Sequence, residues 1–170
     1  QKVPTDNFTE RAIRQACTSR DGKWLIFNSS GYLYKKSLPH GIPARITKTE
    51  GFFEFEPSFS PDGKRVAFVT WNDEQLSQIQ LLTLESQQLE HLKLPKCICR
   101  APACAADATK IVFRKQGGDD ELGFTNCNKP GIYVLDLTTR STNSLPRFVT
   151  DSGENPRFSP NGTRIYFTTG

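Results

Sequence analysis

One phrase, written four times along the chain, limits what it can fold into. Pro57-Ser-Phe-Ser-Pro-Asp-Gly-Lys-Arg-Val-Ala-Phe68 returns as Pro156-Arg-Phe-Ser-Pro-Asn-Gly-Thr-Arg-Ile-Tyr-Phe167. Two looser copies, Cys17-Thr-Ser-Arg-Asp-Gly-Lys-Trp-Leu-Ile-Phe27 and Pro102-Ala-Cys-Ala-Ala-Asp-Ala-Thr-Lys-Ile-Val-Phe113, fit the same frame. Aligned on the turn residue, the copies fall at Asp21, Asp62, Asp107 and Asn161, at intervals of 41, 45 and 54 residues. Periods of roughly 40–50 residues built from short strands point to propeller blades.

The chemistry of the phrase supports blades. Ser-Pro-Asp-Gly is a tight turn: Pro presets φ, Asp bonds the backbone two residues on, and Gly accepts a positive φ at no steric cost. The turn residues are Asp21 and Gly22, then Pro61, Asp62 and Gly63, then Asp107, then Pro160, Asn161 and Gly162. Arg20 replaces the turn Pro in the first copy and Ala108 replaces Gly in the third, so those two turns are expected to be built differently. After the turn, Leu25/Phe27, Val66/Phe68, Ile111/Phe113 and Ile165/Phe167 alternate with their neighbours, which is the strand period. A Phe at the same place in each copy predicts one packing layer. Before the turn, Phe59 and Phe158 share a position with Cys104 and Thr18, which marks Cys104 as a buried thiol standing in for a Phe.

Further strands follow each hairpin. The second strands are predicted at Tyr32–Leu38, Ile79–Leu84 and Gly131–Leu137; the third at Pro43–Thr47, Gln88–Leu94 and Arg147–Thr150. Phe8–Ala16 is expected to be a strand leading into the first turn, and no helical period of useful length occurs. The chain is therefore expected to be all-β, with blades of four antiparallel strands at about 12–50, 51–95 and 96–152, and the start of a fourth at 153–170. Propellers close with roughly four to eight blades. About three and a third blades imply a piece of a longer ring. The alternatives are two copies closing together, or missing blades supplied by other chains. Open blade edges would favour self-association.

Composition removes other classes. The 22 Lys+Arg and 18 Asp+Glu are interspersed, so no nucleic-acid surface is expected. No run of 18 apolar residues exists, so no helical membrane span is expected. The five cysteines, Cys17, Cys97, Cys99, Cys104 and Cys127, fit no standard zinc spacing; at most one or two disulfides are expected, with pairing open. His40 and His91 lie 51 residues apart and are expected to be solvent-exposed. No G-x-S-x-G occurs. Gly117-Gly-Asp-Asp-Glu121 lacks the features of a phosphate or Ca²⁺ loop and reads as a blade insertion. Glu54 and Glu56 flank Phe55 and are expected to share one strand face, either as interaction residues or as the wet face. Trp71-Asn72-Asp73-Glu74, after a strand end, is the candidate interaction loop, with a solvated turn as its alternative. Asn7, Asn28 and Asn161 begin Asn-x-Ser/Thr triplets, and at Asn161 the turn role outweighs a glycan. The Met-free chain beginning at Gln1 suits a processed exported protein or a piece of a longer one.

The E-P-S-F-S-P-D-G-K phrase and its following strand resemble the repeats of TolB-type six-bladed propellers. A narrower block, from Phe53 through Val69-Thr-Trp-Asn-Asp-Glu-Gln-Leu76, is similar to the N-terminal propeller of secreted metal-dependent amidohydrolases of the imidazolonepropionase-like kind. Ile111-Val-Phe-Arg-Lys-Gln-Gly-Gly, Lys129-Pro-Gly-Ile-Tyr-Val134 and Gly153-Glu-Asn-Pro-Arg-Phe-Ser-Pro-Asn-Gly-Thr-Arg-Ile-Tyr-Phe-Thr168 agree. The resemblance covers about Cys17 to Gly170. It implies a non-catalytic, periplasmic or secreted module that docks a catalytic domain or controls access to it. Its partner would be the rest of a parent chain or another protein. No catalytic residue, cofactor or metal is expected in this segment; a metal would belong to a domain beyond it. A stand-alone binding propeller of the cell envelope, or the propeller of a prolyl-oligopeptidase-type peptidase, is the alternative.

Overall fold

Each copy of the phrase folds as a β-hairpin, and the hairpins extend into sheets. The computed structural model describes residues 13–92, 94–95, 97–116, 129–138 and 145–169. The first sheet holds β1 (Arg14–Thr18), β2 (Trp24–Ser29), β3 (Tyr32–Ser37) and β4 (Ala44–Arg45), hydrogen-bonded in chain order. The second holds β5 (Phe53–Phe59), β6 (Arg65–Asn72), β7 (Leu76–Thr83) and β8 (Gln88–His91). The third holds β9 (Ile98–Cys104), β10 (Lys110–Gln116), β11 (Gly131–Asp136) and β12 (Arg147–Thr150). The fourth has two strands, β13 (Glu154–Phe158) and β14 (Ile165–Thr168). All pairings within these sheets are antiparallel, and no described residue is helical. The chain is a partial propeller of four-stranded antiparallel blades.

The first strands, β1, β5, β9 and β13, pack one against the next, so they form the inner edge of the arc. Three hydrophobic cores fill the spaces between sheets rather than one central space. Ile26, Leu33 and Ile46 meet Val66, Phe68 and Leu82. Ala67, Ile79 and Leu81 meet Cys104, Ile111 and Phe113. Ala103, Val112 and Ile132 meet Phe158 and Ile165.

Val66 through Thr70 are buried on both faces, because each inner sheet is covered on both sides. The Phe expected at one place in all four copies is buried at Phe27, Phe68 and Phe113, and Phe167 on β14 is 37% exposed. β7 begins at Leu76 rather than at the expected Ile79, and β4 and β8, at Ala44–Arg45 and Gln88–His91, are shorter than expected. The strand expected over Phe8–Ala16 is seen as Arg14–Thr18; residues 1–12, with Asn7, lie outside the described residues, as do Gly117–Glu121 and Cys127.

The four turns share one backbone, which corrects the expectation that the first and third differ. Gly22, Gly63, Ala108 and Gly162 have φ of 69°, 71°, 55° and 70°. Each donates its N–H to the carbonyl three residues back, at 2.8–3.0 Å. Ala108 thus carries left-handed strain of about 1–2 kcal/mol and keeps the geometry. Arg20 replaces Pro without consequence, since Pro only presets a φ that other residues also adopt.

Candidate interaction face

The turns are held by a side-chain set that the motif reading only half identified. The Asp21, Asp62, Asp107 and Asn161 side chains each accept the N–H two residues on, at 3.1, 3.0, 3.0 and 3.2 Å. Ser19, Ser60 and Ser159 donate their hydroxyls to the same oxygens at 2.6, 2.5 and 2.7 Å. The same hydroxyls accept the N–H of Trp24, Arg65 and Arg164. Ala105 occupies this place in the third copy, where the Thr109 hydroxyl bonds Asp107 instead, at 2.7 Å. The signal for these serines was the recurrence of Ser two residues before the turn acid. The Ser19 hydroxyl and the Lys23 N–H hold the Asp21 carboxyl below the usual carboxylate range, and the Thr109 N–H and hydroxyl do so for Asp107. Pro61, Gly63 and Asp62 line a crevice against Ser19, Arg20, Asp21 and Trp24 at this end of the first two sheets.

The opposite end carries the charged groups. Gln15, Glu56, Ala101 and Asn155 occupy one repeat position, and all have φ near +50°. Each lies at a register shift in its inner strand, so the same β-bulge recurs in all four sheets. The bulge turns a backbone N–H toward the preceding sheet. The Glu56 N–H donates to Gln15 Oε1 at 2.9 Å, and the Ala101 N–H donates to Glu56 Oε2 at 2.6 Å. Arg100 pairs with Glu56, its Nη2 lying 2.5 Å from Oε1, and Arg114 Nε lies 2.8 Å from Glu154 Oε1. Arg100 and Arg114 sit opposite each other on β9 and β10. Two like charges are therefore side by side, flanked by carboxylates from the neighbouring sheets, an order that offsets their repulsion.

The shared face expected for Glu54 and Glu56 is not observed. The bulge at Phe55/Ser58 sends the two side chains to opposite neighbours. Glu54 is fully buried against the first sheet, where it accepts from the Leu33 N–H at 2.8 Å, the Thr47 hydroxyl at 2.7 Å and the Thr49 hydroxyl. Asn28 is buried too, and its amide donates to the Glu54 carbonyl, which excludes a glycan on the folded chain there.

Trp71 comes into this charged region. It is half-buried and lines a cleft of about 270 Å³ between the second and third sheets, with Phe55, Val69, Ile98, Glu56 and Arg100. Asp73 accepts the Trp71 indole N–H at 3.3 Å, and Asn72 accepts the Gln75 N–H at 2.6 Å, so both shape the loop. Glu74 is exposed. The cleft thus has aromatic and aliphatic walls with an ion pair beside them, a composition suited to a protein side chain.

Nothing else among the described residues gathers chemistry. No group of three His, Cys, Asp or Glu side chains forms a metal site among them, and no helix is long and apolar enough to cross a membrane. His40 and His91 are exposed on a turn and on β8. Cys97 and Cys99 form a disulfide; Cys104 is a buried free thiol whose pKa burial pushes up to about 12.

No family model matches the chain. The Tol-Pal system protein TolB of Francisella tularensis subsp. mediasiatica (strain FSC147) is 26% identical over 167 residues, covering 94% of this chain and 35% of the relative. The chain therefore spans about a third of the length of the curated relatives it matches. The crystal structure of TolB from Acinetobacter baumannii superposes with a TM-score of 0.69 at 21% identity, over 92% of this chain and 37% of that one. Oligogalacturonate lyase from Vibrio parahaemolyticus superposes with a TM-score of 0.66 at 13% identity, over 90% and 46%. These likenesses bear out the TolB-type blade. They do not show the narrower amidohydrolase likeness.

Proposed function

We propose that this chain, whose blades are of the TolB type, is a non-catalytic segment of a larger exported protein and binds a protein partner. The binding surface is the end that carries Trp71, Glu56 and Arg100. The observation that carries this reading is the cleft between the second and third sheets, where apolar walls and an ion pair lie on a scaffold stiffened by sheet-to-sheet hydrogen bonds. A rigid scaffold presenting such a cleft suits recognition of a side chain at low entropic cost. The likeness to a Tol-Pal system protein supports a place in the cell envelope, periplasmic or secreted. An amidohydrolase or peptidase parent has no residue in this chain to argue from.

The full-length protein in its own cell tests the reading. Fractionation should recover it outside the cytoplasm. Its reading frame should carry further copies of the turn phrase. A cytoplasmic location, or hydrolysis by this segment that chelators abolish, would overturn the proposal.

A further inference from the structure

The cleft walled by Phe55, Val69, Trp71 and Ile98 lies between two sheets that each have all four strands. Most polar groups along it are engaged by the chain itself. Glu56 Oε1 accepts from Arg100 Nε at 2.6 Å, with Nη2 2.5 Å away, and Oε2 accepts the Ala101 N–H. The Ser77 hydroxyl donates to the Cys97 carbonyl at 2.9 Å and accepts the Cys99 N–H. The Trp71 indole N–H goes to Asp73, and Gln15 Oε1 takes the Glu56 N–H. Two lining groups, Arg100 Nη1 and Gln15 Nε2, have no hydrogen bond among the described residues. Both are donors, so the cleft calls for an acceptor. A guanidinium presents two edges that match a carboxylate. Glu56 occupies the Nε side of Arg100, and the Nη1–Nη2 end is open on a side chain that is 48% exposed.

We propose that this cleft takes the C-terminal residue of a protein partner, its apolar side chain against Trp71 and Ile98 and its α-carboxylate on the open end of Arg100. The inference rests on the reading of this end as a protein-binding surface and names what is bound there. The volume, about 270 Å³, falls below the roughly 300–1,000 Å³ of small-molecule pockets, so it suits one residue rather than a long segment. A C-terminal residue carries its carboxylate on the same Cα as its side chain, so one residue meets both the apolar walls and the arginine. An internal segment would need two residues to do so. Asp73 and Glu74 on the adjoining loop repel a run of acids, which leaves a single terminal charge as the anion that fits. Glu56 holds the guanidinium in place before the partner arrives, and that lowers the ordering cost of binding.

Fluorescence anisotropy on the full-length protein tests this, with short labelled peptides ending in Leu or Phe, each as the free acid and as the C-terminal amide. The free acid should bind at least roughly tenfold more tightly than the amide, the effect of a charge-assisted hydrogen bond. Arg100→Ala should erase that preference, and Trp71→Ala should weaken acid and amide alike. The acid-to-amide ratio is the deciding quantity, because a general loosening of the fold moves both affinities together. Equal binding of acid and amide, both lost in Trp71→Ala, would overturn the terminal-carboxylate assignment and leave protein binding at this end standing. A preference that survives Arg100→Ala would do the same. No binding of the free acid would also overturn it, and a protein adduct from position 71 in cells would then still uphold the broader reading.

Discussion

The Glu56 carboxylate, on the inner strand of the second sheet, accepts the backbone N–H of Ala101 on the third at 2.6 Å. Glu56 and Ala101 occupy the same repeat position, both in the left-handed region, and it is the bulge at each that makes the N–H available. The same Glu56 donates its own N–H to Gln15 on the first sheet, so one residue joins three sheets. Replacing it by Ala leaves the Ala101 donor without its acceptor, and should cost about 1–3 kcal/mol. Glu56→Gln keeps an acceptor oxygen and should cost less. Urea midpoints at constant m-value measure both.

Ala108 adopts a φ of 55° where Gly22, Gly63 and Gly162 stand in the other turns. Ala108→Gly should raise stability by about 1 kcal/mol through relief of that strain. Gly63→Ala should lower it by a similar amount. A Cβ at Gly63 meets no atom within 4 Å, so conformational strain is the whole cost. Thermal unfolding of the two variants should shift in opposite directions.

Phe68 and Phe167 hold one repeat position, but Phe68 is fully buried between two sheets and Phe167 is 37% exposed. Phe68→Ala should cost about 3–5 kcal/mol, whereas Phe167→Ala should cost a fraction of that. Equal losses in chemical denaturation would mean that the fourth sheet is covered as fully as the second.

Partial burial alone would lift the Asp62 carboxyl. The Ser60 hydroxyl, the Lys64 N–H and the charges of Lys64 and Arg65 outweigh it, so its pKa lies below the ordinary value. A depressed carboxylate stabilises the fold above its unfolded pKa of about 4, and loses that contribution as pH falls through the folded value. Asp62→Asn keeps the turn, as Asn161 demonstrates in the fourth copy. The variant should therefore be less stable than the parent at neutral pH, with the gap closing as pH falls below the ordinary carboxylate pKa and through the depressed folded value. A gap that widened on acidification would contradict this origin.

Much of the fold was legible from residue types. The Asp-Gly turns and the alternation at Val66/Phe68 and Ile111/Phe113 located the hairpins, because turn chemistry and strand period act locally. What escaped depended on neighbours. That Val66 through Thr70 are buried on both faces follows from sheets packed on either side. The bulge at Gln15, Glu56, Ala101 and Asn155 has no common side chain, so it could not be read as a motif; its trace is the Pro that follows three of the four. Glu54 and Glu56 read as a shared face because period-two counting assumes an unbroken strand, and the bulge between them and Ser58 breaks it. Trp71 was singled out by its place after a strand. That it meets Phe55, Ile98 and the Glu56–Arg100 pair required the third sheet to be in position.

The central claim is that the end carrying Trp71 binds a protein. Photo-cross-linking in cells tests it most directly, with a photoreactive aromatic residue in place of Trp71 in the full-length protein and, as the control, in place of Lys64 at the turn end. The account predicts a discrete protein adduct from position 71, lost when Arg100→Ala is added, and none from position 64. Adducts of equal yield from both positions, or none from position 71 in folded protein, would contradict it.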